Sequence, residues 1–313
     1  LIISGEKKFI VTNFDSEKEL EDLVFSNFEY LFGSSSFLLP KRKIRTEGGA
    51  GTIPDGFVID LENKCWYLVE VELAHHGVWT HIAPQISKQI IACQNTMTRK
   101  RLVELSVTEY KENPKVKEVF EEKEISEIDV RKILSEIFET VPLIGIPIDN
   151  KPIDLESWSN TLKNTVKLWE VRKFSDFTDP SNIIYEFPEE HKPSFVNNIE
   201  ETQDNNELSN GDIGVSDLIQ KGLLNLSEQI EMKYKPRTGE LKVYKGTINT
   251  DGSISVLDRS FSSLSYAALA CITDAGSNRK TVNGWTSWKN SDGFTFADLR
   301  EKYFEIEASG STG

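Results

Sequence analysis

The chain has 313 residues, 38% of them hydrophobic and 10% aromatic, and a formal net charge of -14. It is long enough for two packed domains; no apolar run nears the roughly 18 to 20 residues that span a bilayer, and Cys65, Cys93 and Cys271 lack the spacing of a zinc ribbon or a disulfide framework. The acidity argues on its face against a nucleic-acid partner, because phosphates call for clustered Lys and Arg.

The distribution of the acid removes that objection. Between Glu186 and Ile213 eight acids stand against Lys192 alone, a net of about -7. Val215 to Tyr303, by contrast, holds twelve basic and ten acidic residues. Residues 1–8 lack the layout of a secretory signal, a start at Leu1 suggests that the native initiator is missing, and the scattered cysteines fit a cytoplasmic home.

In chain order, Ser16 reads as the N-cap of a helix whose apolar positions Leu20, Leu23, Val24, Phe28 and Leu31 recur at three and four, with Gly33 as its end. Leu38 to Ile44, Ile53 to Ile59 and Trp66 to Leu73 read as strands, the last two joined by a turn at Glu62-Asn63-Lys64. His81 to Asn95 has helical spacing through Ile82, Ile86, Ile90 and Ile91, with Pro84 in its first turn. A helix follows at Glu127 to Thr140, then strands at Leu143 to Ile148, Val166 to Phe174 and Ile183 to Phe187. Residues 1–188 therefore predict an α/β (α+β) domain, a mixed sheet with helices on its faces.

Residues 189–214 are acidic, rich in Asn and Ser, and without apolar period, the pattern of a linker. Beyond it, residues 215–305 predict a small α+β domain. It has a short helix from Val215 closed at Gly222, strands at Gln229 to Tyr234 and Leu241 to Ile248, and a hairpin turn at Asp251-Gly252. Ser263 and Thr295 are placed to cap helices over Tyr266 to Ile272 and Phe296 to Tyr303. The small, polar residues 308–313 read as an appended tail.

The chemistry concentrates in the second and third strands. Pro54-Asp55 opens one, and Val69-Glu70-Val71-Glu72-Leu73 ends the next. In an extended chain Glu70 and Glu72 share a face, while Val69, Val71 and Leu73 share the other. Two like charges in an apolar strand need a cation or a base to compensate them. Carboxylates of Asp55, Glu70 and Glu72, with the carbonyl of Val71, are hard oxygen donors suited to Mg2+ or Mn2+, and such ions assist phosphodiester hydrolysis. His75 and His76 face opposite ways in an extended segment without a Cys pair, so they are placed at the mouth of the cleft and not on zinc.

The Pro-Asp strand followed by a strand with Glu-x-Glu resembles the PD-(D/E)XK nuclease superfamily over roughly Glu17 to Phe187. Its second motif is usually Glu-x-Lys, so Glu72 stands where lysine is usual. The resemblance implies a restriction-endonuclease-like fold and a magnesium-dependent DNA endonuclease. It also implies roles for Glu17, on the first helix, and for Gln85, on the later one. Lys88, on that later helix, is the expected replacement for the missing positive charge.

In the C-terminal part, the blocks Asp217 to Leu224, Ser262 to Ala268 and Asn283-Gly284-Trp285-Thr286-Ser287-Trp288-Lys289 resemble the RAMA domain of restriction and methylation proteins. This resemblance implies DNA recognition, with base-modified DNA as a substrate class. Trp285 and Trp288 are then expected to stack on a base, and Arg279, Lys280 and Lys289 to meet phosphates. Cutting both strands implies a homodimer. The alternative is a catalytically inactive DNA-binding or modified-base reader on a nuclease fold.

Overall fold

Asp60 folds the central hairpin: its carboxylate accepts the amides of Glu62 and Asn63, and Lys64 takes a positive φ of 49° to bring the chain back. This hairpin is the middle of the first of two units, Leu1–Glu189 and Glu190–Gly313, in a computed structural model that describes residues 1–188, 213–236 and 239–310.

The first unit begins with β1 (Ile2–Ser4), β2 (Lys7–Thr12), α1 (Glu17–Ser26), α2 (Glu29–Phe32) and β3 (Ser36–Leu39). A small hairpin, β4 (Ile44–Arg45) and β5 (Gly51–Thr52), leads into β6 (Gly56–Asp60) and β7 (Cys65–Val69). Four helices follow, α3 (Ala83–Gln94), α4 (Thr96–Glu112), α5 (Pro114–Glu122) and α6 (Val130–Glu139). The unit closes with β8 (Leu143–Ile148), α7 (Ile153–Ser159), β9 (Val166–Glu170), β10 (Arg172–Asp176) and β11 (Ile183–Glu186).

Five strands form a mixed sheet in the order β3-β6-β7-β8-β9, antiparallel as far as β7 and parallel from β7 to β9. A parallel pair needs a long crossover, and helices α3 to α6 provide it between β7 and β8. Trp66 and Leu68 join one core with Ile82, Ile86, Ile90, Leu134 and Phe138. On the opposite parity, the Tyr67 ring lies 5.0 Å from that of Phe32. The predicted α/β class therefore holds, with helices against the mixed sheet.

Several boundaries differ from the sequence reading. The first helix stops at Asn27, whose side chain donates back to the carbonyl of Leu23, and Gly33 ends a separate short turn at φ 87°. Pro40 lies in the gap that divides the predicted Leu38 to Ile44 strand into β3 and β4. The strand of Asp55 starts at Gly56. The helix expected from His81 begins as a π-helical turn, Val78–Ile82. Helices α4 and α5 had drawn no assignment; Asn95 and Asn113 cap them, and Pro114 begins the second.

The run Val166 to Phe174 is not one strand. At Val171, whose amide donates to Ile148, the chain leaves the mixed sheet, and β10 joins a second sheet in the order β1-β2-β10-β11. Lys173 on β10 is buried and pairs with Asp15 at 3.1 Å and Glu19 at 2.7 Å, which ties α1 to this second sheet.

The second unit contains α8 (Val215–Gln220), β12 (Gln229–Tyr234), β13 (Lys242–Ile248), β14 (Ile254–Val256), β15 (Arg259–Phe261), α9 (Leu264–Asp274), α10 (Gly284–Ser287), β16 (Trp288–Lys289) and α11 (Phe296–Gly310). Its sheet is antiparallel, in the order β15-β14-β13-β12-β16. Ser263 and Thr295 cap α9 and α11 as the sequence predicts. A Cβ on Gly284 would lie 2.2 Å from the backbone of Leu264, so only glycine lets α10 approach α9 so closely. Helix α11 runs through 308–310, half of the stretch expected to be an appended tail. Residues 189–212 of the acidic linker lie outside the described residues. Among the described residues no helix is long and apolar enough to cross a membrane.

Candidate active site

In the β6–β7 ladder Gly56 opposes Val69, so the next antiparallel rung sets Asp55 across from Glu70. The amide of Asp55 donates to Glu70 Oε2 at 3.3 Å, and the amide of Val71 donates to Asp55 Oδ2 at 2.9 Å. The other edge of the acidic segment is fixed as well: the amides of Glu70 and Glu72 donate to the carbonyls of Gly145 and Pro147 on β8, both at 3.0 Å. Glu70 and Glu72 are each 1% exposed. Their side chains carry charge into an interior that backbone pairing alone cannot compensate.

Compensation comes from three directions. From α3, the amides of Gln85 and Gln89 donate to the two oxygens of Glu70, Gln89 at 2.9 Å. Burial, and next the charge of Asp55, still push the Glu70 carboxyl well above the ordinary range. From the end of β3, Lys41 Nζ reaches Asp55 Oδ1 at 2.7 Å and Glu21 Oε2 at 2.9 Å. Burial works against the Lys41 ammonium, but its hydrogen bonds to Asp55 and Glu21 prevail and raise its pKa. At the far end, His76 Nδ1 lies 3.1 Å from Glu72 Oε2 and 3.2 Å from Glu17 Oε2. His81 Nε2 lies 3.8 Å from Glu72 Oε1. Burial raises the pKa of Glu72, and the hydrogen bond to His76 partly offsets it.

The structure therefore brings Asp55, Glu70, Glu72, Val71, Gln85 and Glu17 into one neighbourhood. Lys88 does not belong to it. It is exposed and pairs with none of these carboxylates, because on α3 the residues at i and i+4, Gln85 and Gln89, share the Glu70 face while i+3 turns aside. The positive charge is Lys41, which the sequence reading passed over. Its signal was the basic run Lys41-Arg42-Lys43-Ile44-Arg45 directly after Pro40. The histidines also move: His75 is exposed, whereas His76 turns inward to Glu72.

The donors suit a hard divalent cation. Asp55 and Glu70 offer carboxylate oxygens from adjacent strands, and the buried charge on Glu70 lacks a full counter-charge of its own. The carbonyl of Val71 leaves the strand on the same edge as its amide, the edge that meets Asp55.

In the second unit both tryptophans are interior. Trp288 is 0% exposed and its indole donates to the carbonyl of Leu264, and Trp285 is 6% exposed under the guanidinium of Arg300, 4.1 Å from its ring centre. Stacking on a base is thus not open to Trp288, and Trp285 is occupied by Arg300. Both face the core because α10 presses against α9. Lys280 and Lys289 are exposed and Arg279 is half-buried.

Residues 197–309 match the family RAMA, described as Restriction Enzyme Adenine Methylase Associated. The chain therefore carries a C-terminal RAMA domain, a family whose description ties it to restriction enzymes. No curated protein matches the chain.

Proposed function

We propose that this chain, in which a RAMA domain follows a unit with a three-carboxylate site, is a metal-dependent DNA endonuclease of a restriction or phage-defence system. The observation that carries the reading is the pairing of Asp55 with Glu70 across adjacent strands, with Lys41 on the first and two glutamine amides on the second. Charge of this kind, gathered in one place at a cost to folding, is the mark of a functional site.

Asp55, Glu70 and the carbonyl of Val71 would hold Mg2+ or Mn2+, while the Glu72 carboxylate, expected from the sequence to join them, turns to His76 and His81. When bound, such an ion lowers the pKa of water and neutralises phosphate oxygens. The chain's own part is positional. Gln85 and Gln89 orient Glu70, Val71 orients Asp55, and Lys41 supplies a positive charge beside Asp55. Arg42, Lys43 and Arg45, exposed beyond Lys41, offer phosphate contacts. The RAMA domain would direct the enzyme to DNA, base-modified DNA included, through Lys280, Lys289 and Arg279. Cleavage of both strands calls for a homodimer.

A second reading, a DNA reader without catalysis, draws support from one observation: Lys41, 2.7 Å from Asp55, compensates that carboxylate by itself. Incubating unmodified and base-modified duplexes with the full chain, in magnesium, manganese or EDTA, separates the two. Metal-dependent cutting that Glu70→Ala abolishes is the expected result. A wild-type protein that binds DNA yet cuts none of the duplexes, and behaves like Glu70→Ala, leaves the reader.

A further inference from the structure

Glu72, His76 and His81 place one ligand atom each within 4.8 Å of one another, and the sequence assigns no such trio. The local backbone explains how they meet. After Glu72 the chain makes a single 3-10 turn, Ala74–His76, passes Gly77 at φ +78°, and enters the π-helical turn Val78–Ile82. The amide of Ile82 donates to the carbonyl of Gly77 five residues back, and this wider turn adds a residue to the usual helical spacing. Two imidazoles five residues apart therefore flank the same carboxylate, with their ring centres 5.2 Å apart. A side chain at position 77 would meet Thr80 Oγ1 at 2.7 Å in addition to its strained φ, so the turn depends on glycine.

Chemistry selects the occupant. Magnesium prefers oxygen ligands and keeps its waters, whereas two imidazole nitrogens with one carboxylate suit zinc, manganese, cobalt or nickel. Glu72 supplies a buried negative charge that the histidines, when neutral, do not cancel. Glu17 Oε2, 3.2 Å from His76 Nδ1, stands where it can join the imidazoles as a further carboxylate ligand.

We propose that Glu72, His76 and His81 form a binding site for a divalent transition-metal ion, separate from the Asp55 and Glu70 pair. The site stands whether or not the protein cleaves DNA. It gives a reason for glutamate at the position where lysine is usual, because lysine there could not act as an anionic ligand.

Cobalt(II) titration of the full chain, followed by visible absorption and by calorimetry in excess magnesium, tests it. Wild type and Asp55→Ala/Glu70→Gln should both bind cobalt and show ligand-field bands, and zinc should abolish them. His76→Ala/His81→Ala should lose affinity by more than about tenfold, the smallest loss typical even of removing a ligand's outer partner. Retained circular dichroism certifies the fold; should the double variant unfold, His81→Gln, on the more exposed imidazole, carries the same expectation. Equal cobalt affinity in wild type and the histidine variants overturns the proposal, as does the absence of binding in wild type. Loss of binding only in the Asp55/Glu70 variant would assign the metal to that pair and overturn it too. None of these outcomes bears on whether DNA is cut.

Discussion

Lys41 and Asp55, fourteen residues apart in sequence, meet at 2.7 Å, and the same ammonium bridges to Glu21 on α1. One side chain thus joins three segments around the candidate site.

Replacing Lys41 by alanine should lower metal-dependent DNA cleavage by about 10²- to 10³-fold, the usual effect of removing one preorganised electrostatic group. Lys88→Ala should leave the rate unchanged, since Lys88 is exposed away from the carboxylates. Single-turnover cleavage with saturating enzyme compares the two. Equal losses would return the role to α3.

Glu70→Gln removes a charge that burial and Asp55 both disfavour. Without metal at neutral pH the first unit should melt higher, by about 2–4 °C for each kcal/mol gained. The same variant should lose cleavage. Scanning calorimetry of the full chain reads the melting, and a lower transition would mean that Glu70 is structural.

Trp288→Phe should destabilise the second unit by about 1–3 kcal/mol, because it leaves the Leu264 carbonyl without its indole donor. DNA affinity of the folded variant should match wild type. Lys289→Ala should instead weaken DNA binding and reduce its salt slope by about one. Denaturant titration and fluorescence anisotropy distinguish the two effects, and a tryptophan variant that is stable yet blind to DNA would restore the stacking role.

Burial opposes the Glu228 carboxylate, but donors from Asn225 and Ser291 outweigh it and hold its pKa below the ordinary glutamate range. A depressed carboxyl contributes stability that is full above the unfolded pKa and is lost as pH falls through the folded one. Between about pH 6 and pH 3, which brackets the ordinary value near 4.3, the second unit should therefore weaken. Glu228→Gln should cost about 1–2 kcal/mol at neutral pH and flatten that loss. Urea midpoints across the interval measure it, and parallel curves for wild type and variant would contradict the assignment.

The local signals in the sequence were sound where short-range chemistry decides. Ser16, Ser263 and Thr295 cap helices because their hydroxyls reach amides three residues on. Leu143 to Ile148 forms a strand because both its faces are buried. Asp55 and Glu70 were legible because hairpin register is a local property. Lys41 was not, since its partners lie on a different helix and strand. The division at Val171 was equally hidden, because an apolar run does not say which of two sheets will claim each half. Trp285 and Trp288 misled for a related reason: an indole near a glycine looks presentable, and only the packing of α10 on α9 turns it inward.

The pairing of Lys173 with Asp15 and Glu19 fixes an order of assembly. Tyr185, on the last strand of the first unit, adds a hydroxyl bond to Glu19 at 3.3 Å. The helix that carries Glu17 and Glu21 is therefore anchored by residues made more than 150 positions later. On the ribosome, Asp55 and Glu70 can pair as soon as their hairpin emerges, but the acids beside them wait for the end of the unit. The full constellation of acids is completed only when the RAMA domain is next to be synthesised, so the two units mature nearly together.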